Sequence, residues 1–285
     1  MFFVKKRKKE SVAIPFLISM LISLLIIGLP VVKLYSHIID KKVANETSNE
    51  NHIFSPSESN NFTSLIVFDV DDPALRDTFV IMRTSVTNKK FTFVPVSNNI
   101  ISTSGKSKTK MADIYKNGGI IELKKAVEST FDIKIDRDIT FNDEAFSLIC
   151  DVLGGVNYNV PDGLRGLNEG IQYLSSEFII KLITNKKLAE EPRTVTVGNI
   201  ASEMLTQTSG DRVVDALDYT FNKLINIVET DITSIDYTNQ KEALIYLLTN
   251  NQFKSTYIVP DGSSSDGGIK VNDDFLSDMK KDFGL

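Results

Sequence analysis

The stretch Thr63-Ser64-Leu65-Ile66-Val67-Phe68-Asp69 is apolar, rich in β-branched residues and closed by a carboxylate. A short apolar run bounded by turn residues is typical of a buried strand. Two similar runs follow at Phe79–Thr84 and Lys90–Val96, and residues 88–90 predict a hairpin turn between them. The sequence therefore predicts three consecutive strands at the start of a folded domain.

Helical patterns alternate with strand patterns further along the chain. Asn142 is placed to cap a helix from Asp143 to Leu153. Residues 111–115 predict a short helix that the glycines at 118 and 119 interrupt before a second helix at 119–130. More helices are predicted at 177–184, 199–207, 212–230, 239–250 and 273–281, and more strands at 133–141, 156–161 and 255–259. Intermixed elements of this kind predict an α/β fold, with a mixed central sheet flanked by helices in an α/β/α arrangement.

An apolar segment near the N-terminus predicts a membrane anchor. Residues 12–32 carry no charged side chain and match the ~20 residues that a helix needs to cross the hydrocarbon core. A cleaved signal peptide is the alternative, but such peptides have shorter apolar cores, and residues 33–37 are a poor cleavage site. Residues 1–11 contain five basic side chains, and such a cluster stays on the cytoplasmic side.

These features divide the chain into four parts. Residues 1–11 form the predicted cytoplasmic tail, residues 12–33 the single transmembrane helix, residues 34–61 a polar stalk and residues 62–285 the folded ectodomain. The stalk is assigned because it is polar and has no apolar period. The sequence therefore predicts a single-pass cell-membrane protein with a cytoplasmic N-terminus and an extracytoplasmic C-terminal domain.

Charge and cysteine content exclude several classes of function. Residues 1–11 carry a net charge of +4 and the whole chain carries −5, so residues 12–285 carry a net charge of −9. An acidic ectodomain is a poor general binder of nucleic acid. The one cysteine, Cys150, excludes an intramolecular disulfide, and its apolar neighbours predict a buried, unreactive side chain.

Carboxylates are the main candidates for chemistry. Both histidines, His37 and His52, lie in the stalk, so the ectodomain has neither a histidine-based triad nor a His-ligated zinc site. No glycine-rich phosphate loop is present. Aspartates 69, 71, 72 and 77 lie at and just beyond the end of the first strand, where α/β proteins tend to place ligands. Two of them can hold Mg²⁺, although the spacing alone favours a solvated acidic turn.

Five segments in a fixed order resemble the LytR–CpsA–Psr family of envelope proteins. They are Leu65–Asp71, Leu75–Met82, Thr87–Val94, Ile114–Gly119 and Phe146–Pro161, and the last is the most specific. The resemblance covers roughly residues 62–285, and the predicted anchor before it fits the same family.

The resemblance implies a function. Members of this family take a glycopolymer from a polyprenyl-pyrophosphate carrier and attach it to peptidoglycan. It further implies an apolar pocket for the prenyl chain, arginines on the pyrophosphate, and Mg²⁺ held by Asp71 and Asp77, with Arg76 and Asp77 as the catalytic pair. The chemistry is reasonable, because phosphoryl transfer depends mostly on positioning and on charge neutralisation.

Several motif positions depart from the family pattern. Asn98 and Asn99 stand where the family has an arginine and an aspartate, and Thr184 and Lys186 stand where it has Arg-x-Arg. Of a further Arg-x-x-Arg-Gln motif only Arg193 remains, since Thr196 and Val197 occupy the other two positions. The candidate ligand-binding residues are therefore Arg193, Lys186, Asn98 and Asn99.

The missing arginines leave two readings of function open. Losing one donor from a preorganised charge-stabilising site costs ~10²–10³ in rate, and lysine lacks the bidentate fork of arginine. A member that binds polyprenyl-phosphate-linked glycopolymer, or an envelope partner, without efficient catalysis is therefore favoured. The alternative is an active Mg²⁺-dependent phosphotransferase, and an unrelated α/β scaffold is a third possibility.

Overall fold

The computed structural model describes residues 54–70, 75–102, 108–160 and 168–285, except for the side chain of Asn250. The predicted tail and anchor, most of the predicted stalk and the candidate metal ligand Asp71 lie outside these ranges. Among the described residues, no helix is long and apolar enough to cross a membrane.

A six-stranded mixed sheet forms the centre of the described domain. Its strands follow the order β7-β4-β1-β2-β3-β8. β1 pairs antiparallel with β2 and parallel with β4, and β3 pairs antiparallel with β2 and parallel with β8. The strands are β1 Phe62–Phe68, β2 Thr78–Ser85, β3 Lys90–Val96, β4 Arg137–Phe141, β7 Glu229–Thr230 and β8 Lys254–Tyr257. The predicted mixed sheet and its first three strands are confirmed.

Two antiparallel ribbons lie outside this sheet. One pairs β5 (Val156–Val160) with β6 (Gly170–Leu174), and the other pairs β9 (Gly262–Ser265) with β10 (Gly268–Val271). β5 alternates buried and exposed residues, as its sequence predicts. The sequence did not predict β9, because Gly-Ser-Ser-Ser has no apolar alternation.

The helices agree with the sequence patterns in most places. They are α1 Met111–Phe131, α2 Asp143–Leu153, α3 Ser176–Ile183, α4 Glu190–Gln207, α5 Gly210–Leu224, α6 Ser234–Leu248 and α7 Asp273–Phe283. Gly119 interrupts α1 with φ 64° and ψ −161°, so the predicted break is confirmed. The predicted cap is also confirmed, because Asn142 Oδ1 accepts a hydrogen bond of 2.9 Å from Ala145 N.

Several predicted boundaries are wrong. The helix predicted at 239–250 begins at Ser234. Ile133 and Ile135 were expected in a strand but lie in the loop before β4, where Ile135 N donates to Glu128 Oε1 at 2.9 Å. The helix predicted at 212–230 ends at Leu224. α4 begins nine residues before the predicted start at 199. The prediction missed residues 190–198 because they are mostly charged, polar or small and carry no apolar period.

Each face of the sheet carries its own hydrophobic core. One face packs against α1 and α7, through Leu65, Val67, Phe79, Leu123, Phe131 and Phe283 among others. The opposite face packs against α3, α4 and the β5–β6 ribbon, through Phe68, Phe93, Tyr158, Ile179 and Ile200 among others. Helices on both faces confirm the α/β/α arrangement and explain why β1 is apolar from Leu65 to Phe68. Cys150 lies in the second core, as predicted, and burial raises the pKa of its thiol to about 12.

Residues 54–61 contact the domain near the β2–β3 turn. The Phe54 ring lies 5.3 Å from the Tyr246 ring, measured between centroids. Asn61 Oδ1 accepts a hydrogen bond of 2.7 Å from Val86 N. This point of entry is at the opposite end of β1 from Asp69.

Candidate functional site

The candidate residues meet at one edge of the central sheet. β1 ends and β2 begins there, since Phe68 pairs with Thr78. β3 ends at the same edge, since Phe79 pairs with Val96. Arg76 N donates to Thr184 O at 2.9 Å, which brings the end of α3 to this edge.

Arg193 is at the centre of the buried network at this edge. Its side chain is 2% exposed. Nε donates to Glu190 Oε2 at 3.3 Å. Nη1 donates to Thr78 Oγ1 at 3.2 Å and to Ile183 O. Nη2 donates to Asn98 Oδ1 at 2.8 Å and to Glu190 Oε1 at 3.0 Å. A guanidinium carries five N–H donors, so the protein itself uses all of them.

Glu190 joins the two arginines of the site. It accepts from Arg193, from Arg76 Nη1 at 2.6 Å, from Asn98 N at 2.8 Å and from Ser97 Oγ at 3.1 Å. Burial alone would raise the pKa of the Glu190 carboxyl. The positive charges of Arg193 and Arg76 and the hydrogen bonds that Glu190 accepts have a larger, opposite effect, so its pKa lies below its usual range. Two cations therefore share one carboxylate, and the group keeps a net charge of +1.

Arg76 is the more exposed of the two arginines. Its side chain is 26% exposed, and Nη2 donates to Lys186 O at 2.9 Å. With the bond to Glu190, these contacts engage two of the five donors that a guanidinium carries. Arg76 is therefore the arginine of this pair that faces solvent.

Asp77 lies beside this network in a partly buried acidic group. Its Oδ1 accepts from Val70 N at 3.2 Å, and its carbonyl accepts from Asn98 Nδ2 at 3.2 Å. Burial is the main cause that raises the pKa of Asp77 to about 6, and the charge of Asp69 adds to it. Burial and the charges of both aspartates also raise the pKa of the Tyr115 phenol. Asp69, Asp77 and Tyr115 therefore form one electrostatic cluster.

The structure brings together most of the predicted site residues that it describes. Arg76, Asp77, Asn98 and Arg193 share the network above, and Lys186 joins it through its backbone carbonyl. Asn99 takes a different role, because its carbonyl accepts from Ile269 N at 2.9 Å and ties β10 to the end of β3.

Lysines at the β2–β3 turn do not replace the missing arginines. Lys90 is the first residue of β3 and pairs with Asp282 at 3.4 Å. Lys89 donates to Gln252 at 2.7 Å. Both lie at the far end of strands that are about 25 Å long at ~3.3 Å per residue, so neither reaches Asp77.

Glu190 is the residue of this network that the sequence analysis missed. One local signal was available. Two acids, Glu190 and Glu191, open the helix whose fourth residue is Arg193, and acids three residues before a base in a first turn favour an ion pair. The partner Arg76 is 114 residues away, and no local pattern reveals such a distant contact.

Asp77→Asn is expected to flatten the pH dependence of stability between about pH 4 and pH 6. The pKa of Asp77 is about 6 in the folded chain against an ordinary value of 3.8, so the folded state binds the proton more tightly. Asp77 therefore destabilises the fold increasingly as pH rises through this range, and the penalty stays constant above it. We expect Asp77→Asn to gain about 1–2 kcal/mol at pH 7.5, a figure reduced for the remaining solvent contact.

Urea unfolding at pH 4, 5, 6 and 7.5 measures this effect. Asp113→Asn, at an exposed carboxylate on α1, is the matched control and should keep the wild-type profile. An Asp77→Asn profile parallel to that of the wild type would show that Asp77 titrates normally.

Comparison with known proteins supports a family assignment. The model of the LytR_cpsA_psr family matches residues 29–176 of the 285, which is just over half of the chain. No curated protein shows significant sequence similarity.

Several solved structures share the fold. A candidate transcription regulator from Eubacterium siraeum DSM 15702 is 21% identical, with a TM-score of 0.71, over 84% of this chain and 96% of that one. TagV of B. subtilis is 18% identical, with a TM-score of 0.58, over 78% and 95%. TagT bound to LI-WTA is 18% identical, with a TM-score of 0.60, over 83% and 94%.

These similarities establish a shared fold. The family match indicates common descent over the segment that contains β1 to β6 and the aspartates of the site. The motif order and the mixed sheet agree with that match. The chain belongs to the LytR-CpsA-Psr family, and this membership implies a role in cell-wall glycopolymer assembly.

Proposed function

We propose that this chain is a membrane-tethered, extracytoplasmic member of the family that binds a polyprenyl-phosphate-linked glycopolymer through Arg76 and does not transfer it efficiently. One observation carries the proposal: all five donors of Arg193 are used inside the protein. Only Arg76 then presents a guanidinium to a phosphate at this edge of the described structure. Efficient transfer of a multiply charged group needs more neutralisation than one arginine supplies.

The location is proposed from the sequence. Residues 12–32 are apolar and uncharged, and a basic cluster precedes them. A helix in that position would hold the domain at the outer surface of the membrane, where a polyprenyl carrier presents its headgroup.

Mg²⁺ fits the acidic part of the site. Asp77 would hold it, with Asp71 as the second ligand expected from the family resemblance and Asp69 close by. Burial is the main cause of the raised pKa of Asp77, and the charge of Asp69 adds to it. A hard divalent cation with oxygen ligands would offset both effects. Among the described residues, no group of three or more His, Cys, Asp or Glu side chains is placed to hold a metal ion. Phosphate and water oxygens would complete the coordination of Mg²⁺. When bound, the cation would neutralise phosphate charge.

Arg76→Gln is expected to weaken binding of a polyprenyl phosphate by about 10–100-fold, because a hydrogen bond to a charged group contributes ~1.5–3 kcal/mol. Binding of the full-length chain, reconstituted in nanodiscs with and without the lipid phosphate, measures this change. Arg212→Gln is the matched control, since Arg212 donates to Asp151 O at 2.8 Å on an exposed surface of α5. Wild-type protein with no affinity for the lipid would reject the proposal and leave an envelope partner as the ligand.

An active Mg²⁺-dependent phosphotransferase is the second candidate, and the paired Asp69 and Asp77 beside Arg76 favour it. Its test is transfer of glycopolymer from polyprenyl pyrophosphate to peptidoglycan by the full-length chain in the presence of Mg²⁺. Transfer that is abolished in Asp77→Ala would establish this activity and replace the non-catalytic proposal.

A further inference from the structure

The strand β8 (Lys254–Tyr257) lies at one edge of the central sheet. It pairs parallel with β3 on one side, and no strand among the described residues pairs with its other side. An edge strand with unpaired N–H and carbonyl groups is a template for another extended chain. The free side of β8, which we call the open edge, can therefore accept a further strand.

The backbone of β8 alternates between β3 and the open edge. Lys254 N donates to Lys89 O at 2.8 Å. Every second residue of a parallel strand bonds to the same neighbour, so Lys254 and Thr256 direct their backbone groups to β3. The N–H and carbonyl groups of Ser255 and Tyr257 consequently face the open edge.

Helix α4 borders the open edge on one face of the sheet. Ser255 Oγ donates to Ser202 Oγ at 3.3 Å, so the side chain of Ser255 faces α4. A cavity of about 300 Å³ opens beside this contact, and its walls include Thr206, Asn251, Phe253 and Ser255. A pocket next to an edge strand receives every second side chain of a strand that adds there. The Phe253 ring makes an apolar side chain a suitable occupant.

The opposite face of the open edge is basic. Side chains alternate along a strand, so Lys254 points away from α4. Its register partner on β3 is Lys90, which pairs with Asp282 at 3.4 Å. Lys254 itself is exposed and takes part in no ion pair within the described part of the chain. One of these two neighbouring cations is therefore left for an acidic group of a partner.

We propose that the open edge of β8 binds an extended segment of a partner protein in which acidic and apolar residues alternate. The segment adds one strand to the sheet through backbone hydrogen bonds to Ser255 and Tyr257. Its apolar side chains face the cavity beside α4, and its carboxylates face Lys254. Lys90, the register partner of Lys254, lies at the far end of the sheet from Asp77, so this inference goes beyond the proposed function and does not depend on it.

A short synthetic peptide tests the proposal. The probe is Thr-Glu-Val-Glu-Thr with an N-terminal fluorescein and a C-terminal amide, and Thr-Lys-Val-Lys-Thr with the same ends is the charge-reversed control. Fluorescence anisotropy with the full-length chain in nanodiscs measures binding of both. We expect a Kd on the order of 10–100 µM for the glutamate peptide and binding of the lysine peptide that is weaker by about tenfold or more.

Ser255→Pro separates strand addition from simple charge attraction. Proline removes an N–H that faces away from β3 and is tolerated at such a position of an edge strand. The fold should persist while affinity for the glutamate peptide falls by about tenfold or more. Ser255→Ala is the matched control, because it keeps the N–H and loses the same contact with Ser202, and it should bind within about twofold of wild type.

Two further measurements decide the matter if Ser255→Pro does not fold. Lys254→Glu, at an exposed side chain, should reverse the preference and favour the lysine peptide. In the wild type, hydrogen–deuterium exchange at residues 253–258 should slow when the glutamate peptide binds, because the outward N–H groups become hydrogen-bonded.

Three results would overturn the proposal. The first is a glutamate peptide that does not bind the wild type, or that binds folded Ser255→Pro equally well. The second is full displacement of the peptide by equimolar sodium polyphosphate, which would make the edge a basic patch for anionic polymers. The third is a wild-type dimer in detergent that Ser255→Pro converts to a monomer in sedimentation, which would assign the open edge to a second copy of this chain.

Discussion

Glu190→Ala is expected to lower the free energy of unfolding by about 3–5 kcal/mol in chloride buffer. The substitution leaves the Arg193 guanidinium buried at 2% exposure with only neutral acceptors, and an uncompensated buried charge costs several kcal/mol. It also leaves Asn98 N without its acceptor at the sheet edge.

Urea unfolding at pH 7.5, followed by circular dichroism, measures the loss. Glu191→Ala is the matched control, because Glu191 is exposed in the same helix turn, and it should change stability by less than about 0.5 kcal/mol. A Glu190→Ala chain as stable as Glu191→Ala would mean that Arg193 reaches solvent and that the buried network is absent.

Arg193→Ala is expected to cost about 2–4 kcal/mol of stability and to leave lipid affinity within twofold of wild type. The stability loss follows because Thr78 Oγ1 and Asn98 Oδ1 lose the donor Arg193, while Ile183 O keeps the bond from Thr78 Oγ1. Buried unsatisfied acceptors cost ~1–3 kcal/mol. The loss is smaller than for Glu190→Ala, because Glu190 keeps Arg76 as a partner.

Comparison of Arg193→Ala with Arg76→Gln tests this prediction directly. If Arg193 serves the fold and Arg76 serves the ligand, the first variant changes the unfolding midpoint and the second changes the dissociation constant for polyprenyl phosphate. Measuring both quantities on both variants separates the two roles. A tenfold loss of affinity in Arg193→Ala, with folded protein confirmed by circular dichroism, would place Arg193 on the ligand and contradict the proposed function.

Local sequence predicted the elements whose residues interact with near neighbours. β1 to β3 were correct within a residue or two because their apolar runs are continuous and bounded by turns. The cap at Asn142 and the break at Gly119 were correct because each depends on one residue with a strong backbone preference.

Elements that depend on distant partners were missed. β9 has a serine-rich sequence and becomes a strand through pairing with β10. α4 was predicted from residue 199 onward. Its first nine residues were missed because they bury Arg193 in a polar network and not in an apolar stripe. The same holds for the candidate site. Local sequence predicted Arg76 and Asp77, which lie beside a predicted strand, but it did not predict Glu190, whose partner Arg76 is distant in the chain.

The sequence by itself determined the family resemblance, the α/β class and the placement of Arg76 and Asp77 at the end of the first strands, because these depend on motif order and short-range patterns. Only the tertiary structure decided what Arg193 does. Its partner Asn98 lies 95 residues away, and Arg76 lies 114 residues from the shared Glu190. Hydrogen-bond donors are consumed by whichever acceptors the fold brings within about 3 Å. Whether an arginine faces a ligand or the protein is therefore decided by those long-range contacts.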